Sequence, residues 1–362
     1  MHAGVMTRPS AVSMIVGDRL QRVLAAHFDP VHGAPFWIER AAALGFDPRR
    51  AIRSPADLEL LGNLSAAELA GHPLSDFIPR RFHRSLNDFI VGRTGGTTGD
   101  PLWTAYRRDE FDEAFIRPFA VAAAHAGFPR GERWLYVGPS GPHIIGKAAP
   151  ALARSMGSME PFSVDFDPSW ARRLPDGSFA RQRYLEHIVE QALAIIEREP
   201  IGVLFATPPV LHALGDRLTD DRRHRIAGVH YGGISVAPDE MKRLQLDVYP
   251  QAVHMSGYGN TLFGCCLELN AAPGRSLDFF PLGDRLLLDV VDDDGRRLPP
   301  GERGRVRFTR LDESVLLVNL LERDEAALVL PPQEAPADFS LPGVRDPAPR
   351  PADAPAMSAG LY

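Results

Sequence analysis

Only two cysteines, Cys265 and Cys266, occur among the 362 residues, and they are adjacent. Neighbouring thiols do not readily bridge each other and two are too few for a structural zinc site. No disulfide scaffold is expected, only buried thiols in a reducing compartment. Long hydrophobic runs are also missing. Met1 to Arg19 has no continuous apolar core of the signal-peptide kind, and no later stretch approaches the ~20 apolar residues of a membrane span. The chain therefore reads as cytoplasmic, with no membrane partner. Positive charge is not in excess: the net charge is −6 and no basic face stands out, which argues against a nucleic-acid partner. No internal repeat is detected. What remains, 44% hydrophobic and 24% charged residues, is the composition of an ordinary globular protein. At 362 residues the chain is long for one compact domain, so two or more lobes are expected.

Against that background Thr94-Gly95-Gly96-Thr97-Thr98-Gly99-Asp100-Pro101 is the most concentrated signal. Its glycines allow positive φ and close approach to a ligand, and its threonines add hydroxyl donors beside exposed amides, which suits an anion. Phe89-Ile90-Val91 before it and Leu102 to Tyr106 after it have strand composition, so the loop is expected to join two strands. The alternative is a Gly-rich surface turn. No Lys-Ser or Lys-Thr pair follows Gly99, so this is not an ordinary P-loop.

The pattern from Ser13 to Arg81 is helical with short breaks. Trp37, Ala41, Ala42 and Leu44 form an apolar stripe that Gly45 ends, and Ser54 opens a further segment with Asp57 in its first turn. Asp109 to Ala126 predicts a helix with Phe111, Phe115, Phe119 and Ala122 on one face and a kink at Pro118. A strand at Trp134 to Val137 and a helix from about Ile145 to Met156 follow, then an amphipathic helix from Arg181 to Arg198. Further strands are expected at 202–206, 228–231 and 253–256, with helices near Val210 and Asp239 between them. This alternation predicts an α/β fold with a largely parallel sheet, whose ligands lie at the carboxyl ends of the strands. Beyond Phe263 short strands at 286–291, 306–309 and 315–320 follow one another around the turn at Asp293-Asp294-Gly295, which predicts a β-meander or small barrel. Eight of the 32 residues from Pro331 to Tyr362 are proline, which predicts an extended or mobile tail. The organisation is therefore read as a helical lead-in at 1–81, an α/β lobe at 82–262, a β-rich subdomain at 263–330 and a Pro-rich tail at 331–362.

Several candidate groups fall at strand ends. His143-Ile144-Ile145-Gly146 follows the strand ending at Val137, and His143 is either a site group or a hydrogen-bonded structural histidine. Gly141 to Gly146 with Lys147 also fits G-x-x-x-x-G-K, but Ala148 offers no hydroxyl for magnesium. Ala206-Thr207-Pro208-Pro209 ends another strand in a Pro-rich turn. The pair Gly232-Gly233 before Ile234 would expose amides and carbonyls to a flat ligand, or simply turn the chain from strand to helix.

The Thr/Gly loop resembles the phosphate-binding motif of the adenylate-forming superfamily, which includes acyl- and aryl-CoA ligases, peptide-synthetase adenylation domains and luciferases. Tyr258-Gly259-Asn260-Thr261 resembles the family's Tyr-Gly-x-Thr-Glu motif, with Leu262 in place of the magnesium-holding glutamate. Gly301-Glu302-Arg303-Gly304-Arg305-Val306 resembles the strand that follows, and this places Asp324 at the family's ribose-binding aspartate. The overall pattern is similar to the phenylacetate-CoA ligase branch. The resemblance implies the large N-terminal domain of that fold with the small C-terminal domain, and its lysine, absent, as in members from phenazine antibiotic biosynthesis.

It further implies that ATP is bound by Thr94, Gly95, Gly96, Thr97, Thr98, Gly99, Gly232, Gly233, Ile234, Tyr258, Gly259, Asn260 and Asp324. Thr261 and His143 take catalytic roles, and His143, Gly146, Thr207 and Pro208 line the acid. An apolar Leu262 cannot ligate a hard cation, so any Mg2+ is held by ATP oxygens and water. The implied activity is conversion of an aromatic carboxylate, a phenazine carboxylate being one candidate, to its acyl-AMP in secondary metabolism, with a partner reductase or acyl-transfer protein completing the reaction. Two other readings stand beside it: a degenerate protein of the same fold that binds nucleotide or aryl acid without chemistry, and a phosphotransferase built on Lys147. The oligomeric state is left open, a dimer being compatible with the sequence.

Overall fold

The computed structural model describes residues 11–95, 101–175, 177–232, 238–269 and 272–350, Arg172 by its backbone alone. Every regular element from residue 11 to residue 82 is a helix. The helix Ala11–His27 buries Val16, Leu20, Val23 and Leu24. The helix Pro35–Leu44 ends at Gly45, whose φ of 75° closes it as the sequence suggested. The buried face of that second helix is Phe36 and Trp37, whereas Ala42 and Leu44 of the expected stripe are exposed. The turn at Ser54 is a capping box with Asp57. This lead-in is stitched to the sheet by buried polar contacts: Trp37 Nε1 donates to Leu316 O at 3.2 Å, and Asn319 Nδ2 donates to Leu58 O at 3.1 Å and Gly62 O at 3.2 Å.

Thirteen strands follow among the described residues. The first two, β1 (Phe89–Arg93) and β2 (Trp103–Arg107), pair antiparallel as a separate ribbon, so the Thr/Gly loop does connect two strands. The rest form one continuous sheet: β3 (Arg133–Val137), β4 (Phe162–Val164), β5 (Ile201–Ala206), β6 (Gly228–Tyr231), β7 (Val253–Asn260), β8 (Gly264–Glu268), β9 (Asp278–Phe280), β10 (Leu286–Val291), β11 (Arg303–Leu311), β12 (Leu316–Val329) and β13 (Gly343–Pro349). Their order is β10-β11-β12-β13-β9-β8-β7-β6-β5-β3-β4.

The half from β4 to β6 pairs parallel, and β5 and β6 are buried along their whole length, which is why β5 reads as an unbroken apolar run. Strand β7 serves both halves. Its first four residues continue the parallel ladder beside β6, and its last four turn into an antiparallel ladder with β8. The expected meander is β10-β11-β12, joined through β13 and β9 to the same sheet.

Helices cover the parallel half, among them Ile144–Ser155, Phe179–Arg198 and Pro208–Gly215. The segment before β3 is helical from Arg108 to Ala126 with a π-turn over Asp112–Ile116. The wider turn lies just before Pro118, where an α-helix would lose a hydrogen bond. Phe111, Phe115, Phe119 and Ala122 are buried as expected.

Two expectations are corrected. The strand read at 315–320 runs on to Val329 as β12. Within the segment read as a mobile tail, Gly343–Pro349 is an interior strand, paired to β12 along its length and to β9 at Val344 and Arg345. Pro347 and Pro349 fall beyond the β9 pairing, where a missing N–H costs no ladder bond on that side. No described helix is long and apolar enough to cross a membrane.

Candidate functional site

The parallel register aligns every strand end that the sequence singled out. Val137 pairs with Ala206, Ala206 with Tyr231 and Tyr231 with Ser256. Gly138, Thr207, Gly232 and Gly257 therefore leave the sheet side by side at its carboxyl edge. The chain passes from β3 outward to β4, then returns to β5 on the other flank of β3. The reversal makes the gap between β3 and β5 a topological switch point, where open α/β sheets bind ligands.

The Thr/Gly loop rises beside that edge. Thr94 N donates to Leu102 O at 2.8 Å, and Leu102 N donates to Thr94 Oγ1 at 2.9 Å, so the loop's neck is closed by two hydrogen bonds. Arg93 N donates to Pro142 O at 2.8 Å, which fixes the turn before the helix Ile144–Ser155 against the loop base. Thr261 Oγ1 donates to Arg93 O at 3.3 Å from the other side. Gly92 makes this meeting possible, because a Cβ there would lie 2.8 Å from Ile144 Cδ1 and 3.0 Å from Thr261 Cγ2. Gly96, Thr97, Thr98 and Gly99 lie outside the described residues, as do Gly233 and Ile234.

Around the corner of β7, Asn260 Nδ2 donates to Glu322 Oε1 at 2.5 Å, which joins the 258–261 turn to β12. Tyr258 is half-buried, with its hydroxyl inside. That hydroxyl and Asp324 Oδ1 are buried atoms that complete no hydrogen bond among the described residues. Arg323 Nε stands 3.8 Å from the same carboxylate, at ion-pair rather than hydrogen-bond distance. Burial first, and then the charges of Glu322 and Asp324, push the Tyr258 phenol well up. Burial likewise raises Asp324, while burial and the neighbouring Asp324 charge raise Glu322 to about 7. The buried hydroxyl lies beside the buried Asp324 carboxylate, which among the described residues has only this weak partner and an arginine at ion-pair distance, so the carboxylate keeps acceptor capacity for a ligand that brings hydroxyls or donors of its own.

Thr207 is buried at the N-cap of the helix Pro208–Gly215, with Pro208 at its first position. Beside it Tyr136, Phe205, Ile145 and Gly232 enclose a cavity of about 10 Å³, room for about one water molecule. His143, 8% exposed, is the N-cap of the helix Ile144–Ser155. Gly146 sits in the first turn of that helix against Pro139, where a Cβ would lie 2.6 Å from the carbonyl oxygen. The same placement counts against the Walker alternative, since the helix has already begun at Ile144, two residues before the second glycine. Gly259 is exposed, and a Cβ on it would run into the Gly264 carbonyl, so its lack of a side chain serves the approach of β7 to β8.

The sequence reading missed what lies beneath Thr261. Leu262 packs into the hydrophobic core, and Arg285, Arg310 and Asp312 are buried under it at 3% exposure or less. Burial alone would raise the Asp312 carboxyl, but the two guanidiniums outweigh it and hold it at about 2. Charged residues in the strand pattern Arg305 to Asp312 were the available signal, since a two-sided strand leaves no solvent face for them. For magnesium, no group of three His, Cys, Asp or Glu placed to hold a cation occurs among the described residues.

No protein-family model matches the chain, and no curated protein matches it. Solved structures do. It is similar to 2-hydroxyisobutyryl-CoA ligase in the postadenylation state in complex with R3-HIB-AMP, with a TM-score of 0.66 and 18% identity over 98% of this chain and 72% of that one. The same ligase with 2-HIB-AMP and CoA in the thioesterification state gives a TM-score of 0.64 and 20% identity over 94% of this chain and 68% of that one. An open conformation of it with 2-HIB-AMP and CoA gives 0.61 and 19%, over 92% and 68%. At such identities the likeness establishes the fold: the large α/β domain of the adenylate-forming ligases.

Proposed function

We propose that the protein activates a carboxylic acid with ATP. A carboxylate oxygen bonds to the α-phosphorus, the bond from that phosphorus to the bridging β-phosphate oxygen breaks, and acyl-AMP and pyrophosphate result. The observation that carries this reading is the meeting of the neck of the Thr/Gly loop with Thr261, alongside a second cluster that ties Tyr258 and Asn260 to Glu322 and Asp324. Asp324 would accept the two ribose hydroxyls, the Tyr258 ring would face the base, and Thr261 would reach the α-phosphate. The amides and hydroxyls of the loop from Thr94 to Gly99 would orient the triphosphate, each charge-assisted hydrogen bond contributing ~1.5–3 kcal/mol. Catalysis then comes mainly from alignment of two anions and from offsetting their repulsion. Any magnesium arrives on the triphosphate's own oxygens, and no step is assigned to it.

The acid enters at the switch point beside Thr207 and Pro208, near His143. An aromatic or phenazine-type acid is the class the sequence resemblance suggested, and with it a role in secondary metabolism and a partner that reduces or transfers the acyl group. The cavity between Tyr136 and Phe205, about 10 Å³, has room for about one water molecule, so an acid of either class, aliphatic or aromatic, enters there only when one of those rings swings aside. A second reading, binding of nucleotide or acid without turnover, is favoured by one observation: Leu262 is a core residue, so the position where the resembling motif has its glutamate carries no carboxylate.

Incubation with ATP, magnesium and a panel of short-chain and aryl acids separates these. Acid-dependent pyrophosphate release supports activation, nucleotide binding without turnover supports the second reading, and ADP release would favour a phosphotransferase on Lys147. The double change Thr97→Ala, Thr98→Ala is expected to weaken ATP binding, while Lys147→Ala leaves it unchanged.

A further inference from the structure

Three consecutive carbonyl oxygens in the turn that carries Thr261 are each held by a buried donor from a different stretch of chain. The Tyr106 hydroxyl donates to Thr261 O at 2.8 Å, Arg310 Nη1 to Leu262 O at 3.1 Å, and Arg285 Nη1 to Phe263 O at 2.6 Å. From the other side, Asn260 Oδ1 accepts from the amides of Leu262 at 2.8 Å and Phe263 at 3.2 Å. Five backbone groups of a short loop are therefore fixed without help from solvent.

The donors are themselves braced. Asp312 accepts from Arg310 Nε at 2.5 Å, and from Arg285 Nε at 3.0 Å and Nη2 at 2.7 Å. Arg310 lies over the Tyr106 ring, 3.6 Å from its centroid, and also donates to Ala105 O at 2.7 Å and Thr104 Oγ1 at 3.0 Å. Thr104, Ala105 and Tyr106 belong to β2, the strand that leaves the Thr/Gly loop. One planar guanidinium thus bonds both the strand under the loop and the turn bearing Thr261, a task for which its fork geometry is suited and an ammonium is not.

We propose that Arg310, braced by Asp312 and Arg285, is a positioning residue that sets the Thr261 hydroxyl at a fixed place relative to the Thr/Gly loop, so that both meet one nucleotide without rearrangement. The inference rests on the nucleotide-binding reading above. A network that merely held the fold would bond the turn or the strand; this one bonds both through a single side chain, in surroundings where hydrogen bonds are strong and misplacement is costly.

A double-mutant cycle on ATP affinity tests it, with Arg310→Lys, Thr261→Val, both changes together and the wild type, each checked for a cooperative thermal transition. Arg310→Lys is expected to weaken ATP about fivefold in the wild-type background and less than twofold when Thr261 is already Val, because the residue acts through that threonine. Equal, additive losses in the two backgrounds would overturn the proposal. Should Arg310→Lys not fold, Tyr106→Phe removes the hydroxyl that donates to Thr261 O and lies beside Arg285 while leaving Arg310 in place, and the same non-additivity with Thr261→Val is the expected result, additivity the contrary one. The cycle reads binding, so a wild type that binds ATP but releases no acid-dependent pyrophosphate sinks the activation reading and leaves this one to be judged on its own numbers. A wild type that binds no ATP overturns both.

Discussion

Glu110 Oε1 accepts a hydrogen bond from the amide of Ser314 at 3.1 Å, 204 positions further along the chain. The carboxyl is 5% exposed. Burial, reinforced by the charge on Asp312, raises it from the ordinary 4.5 to about 7 although the Ser314 bond pulls the other way. Between those two values the native state holds a proton that the unfolded chain has lost, so stability falls as pH rises from about 4.5 to about 7 and levels off above. Glu110→Gln keeps the acceptor for Ser314 and removes the titration. The variant is expected to melt with a flatter pH dependence than the wild type, and to be more stable at pH 8 by about 1–3 kcal/mol, measured by urea unfolding.

Asp312 has the opposite sign. Held at about 2 by Arg285 and Arg310, its contribution is complete above the ordinary carboxylate range and lost only as pH falls toward 2. Asp312→Asn leaves two buried guanidiniums sharing no countercharge. A loss of about 3–5 kcal/mol in denaturant unfolding at pH 7 is the expected outcome.

Gly92→Ala places a methyl group 2.8 Å from Ile144 Cδ1 and 3.0 Å from Thr261 Cγ2. The β1–β2 ribbon would have to shift away from both neighbours. Overpacking of this kind costs about 1–3 kcal/mol, and ATP affinity is expected to fall as well, since the loop and Thr261 are the two parts driven apart. An Ala variant that loses stability but binds ATP as tightly as wild type would show that the loop and the turn do not share a ligand.

Phe205→Ala opens the cavity beside Tyr136, whose ring centroid lies 5.1 Å from that of Phe205. Truncation of a buried phenylalanine costs about 3–5 kcal/mol, so the assay belongs at low temperature. In pyrophosphate release the variant is expected to shift its preference toward bulkier aryl acids relative to the wild type. An unchanged preference would show that the acid does not enter beside Phe205.

Much of the parallel half was legible because its strands carry the signature that burial on both faces demands. Trp134 to Val137 and Ile201 to Ala206 are unbroken apolar runs, and Pro208 and Asp239 mark helix starts between them. The Thr/Gly loop announced its hairpin through the β-branched and aromatic residues on either side. The antiparallel half was harder to read. Strand β13 contains Pro347 and Pro349 and was taken for a tail, because single-sequence reasoning sees the missing N–H and not the register that leaves that edge unpaired. Leu262 was noticed only for the glutamate it replaces. Its neighbours Arg285, Arg310 and Asp312 escape notice because isolated charges are ordinarily solvated, and only the pairing of β10 with β11, with β2 hydrogen-bonded to Arg310, encloses them.

The central claim is that separated turns share one nucleotide, and a crystal structure with a non-hydrolysable ATP analogue tests it most directly. The account expects the base against Tyr258, the ribose hydroxyls on Asp324, and the phosphates between Thr261 and the loop that begins at Thr94. An analogue held elsewhere on the molecule, with the Tyr258 hydroxyl and Asp324 Oδ1 untouched, would contradict it.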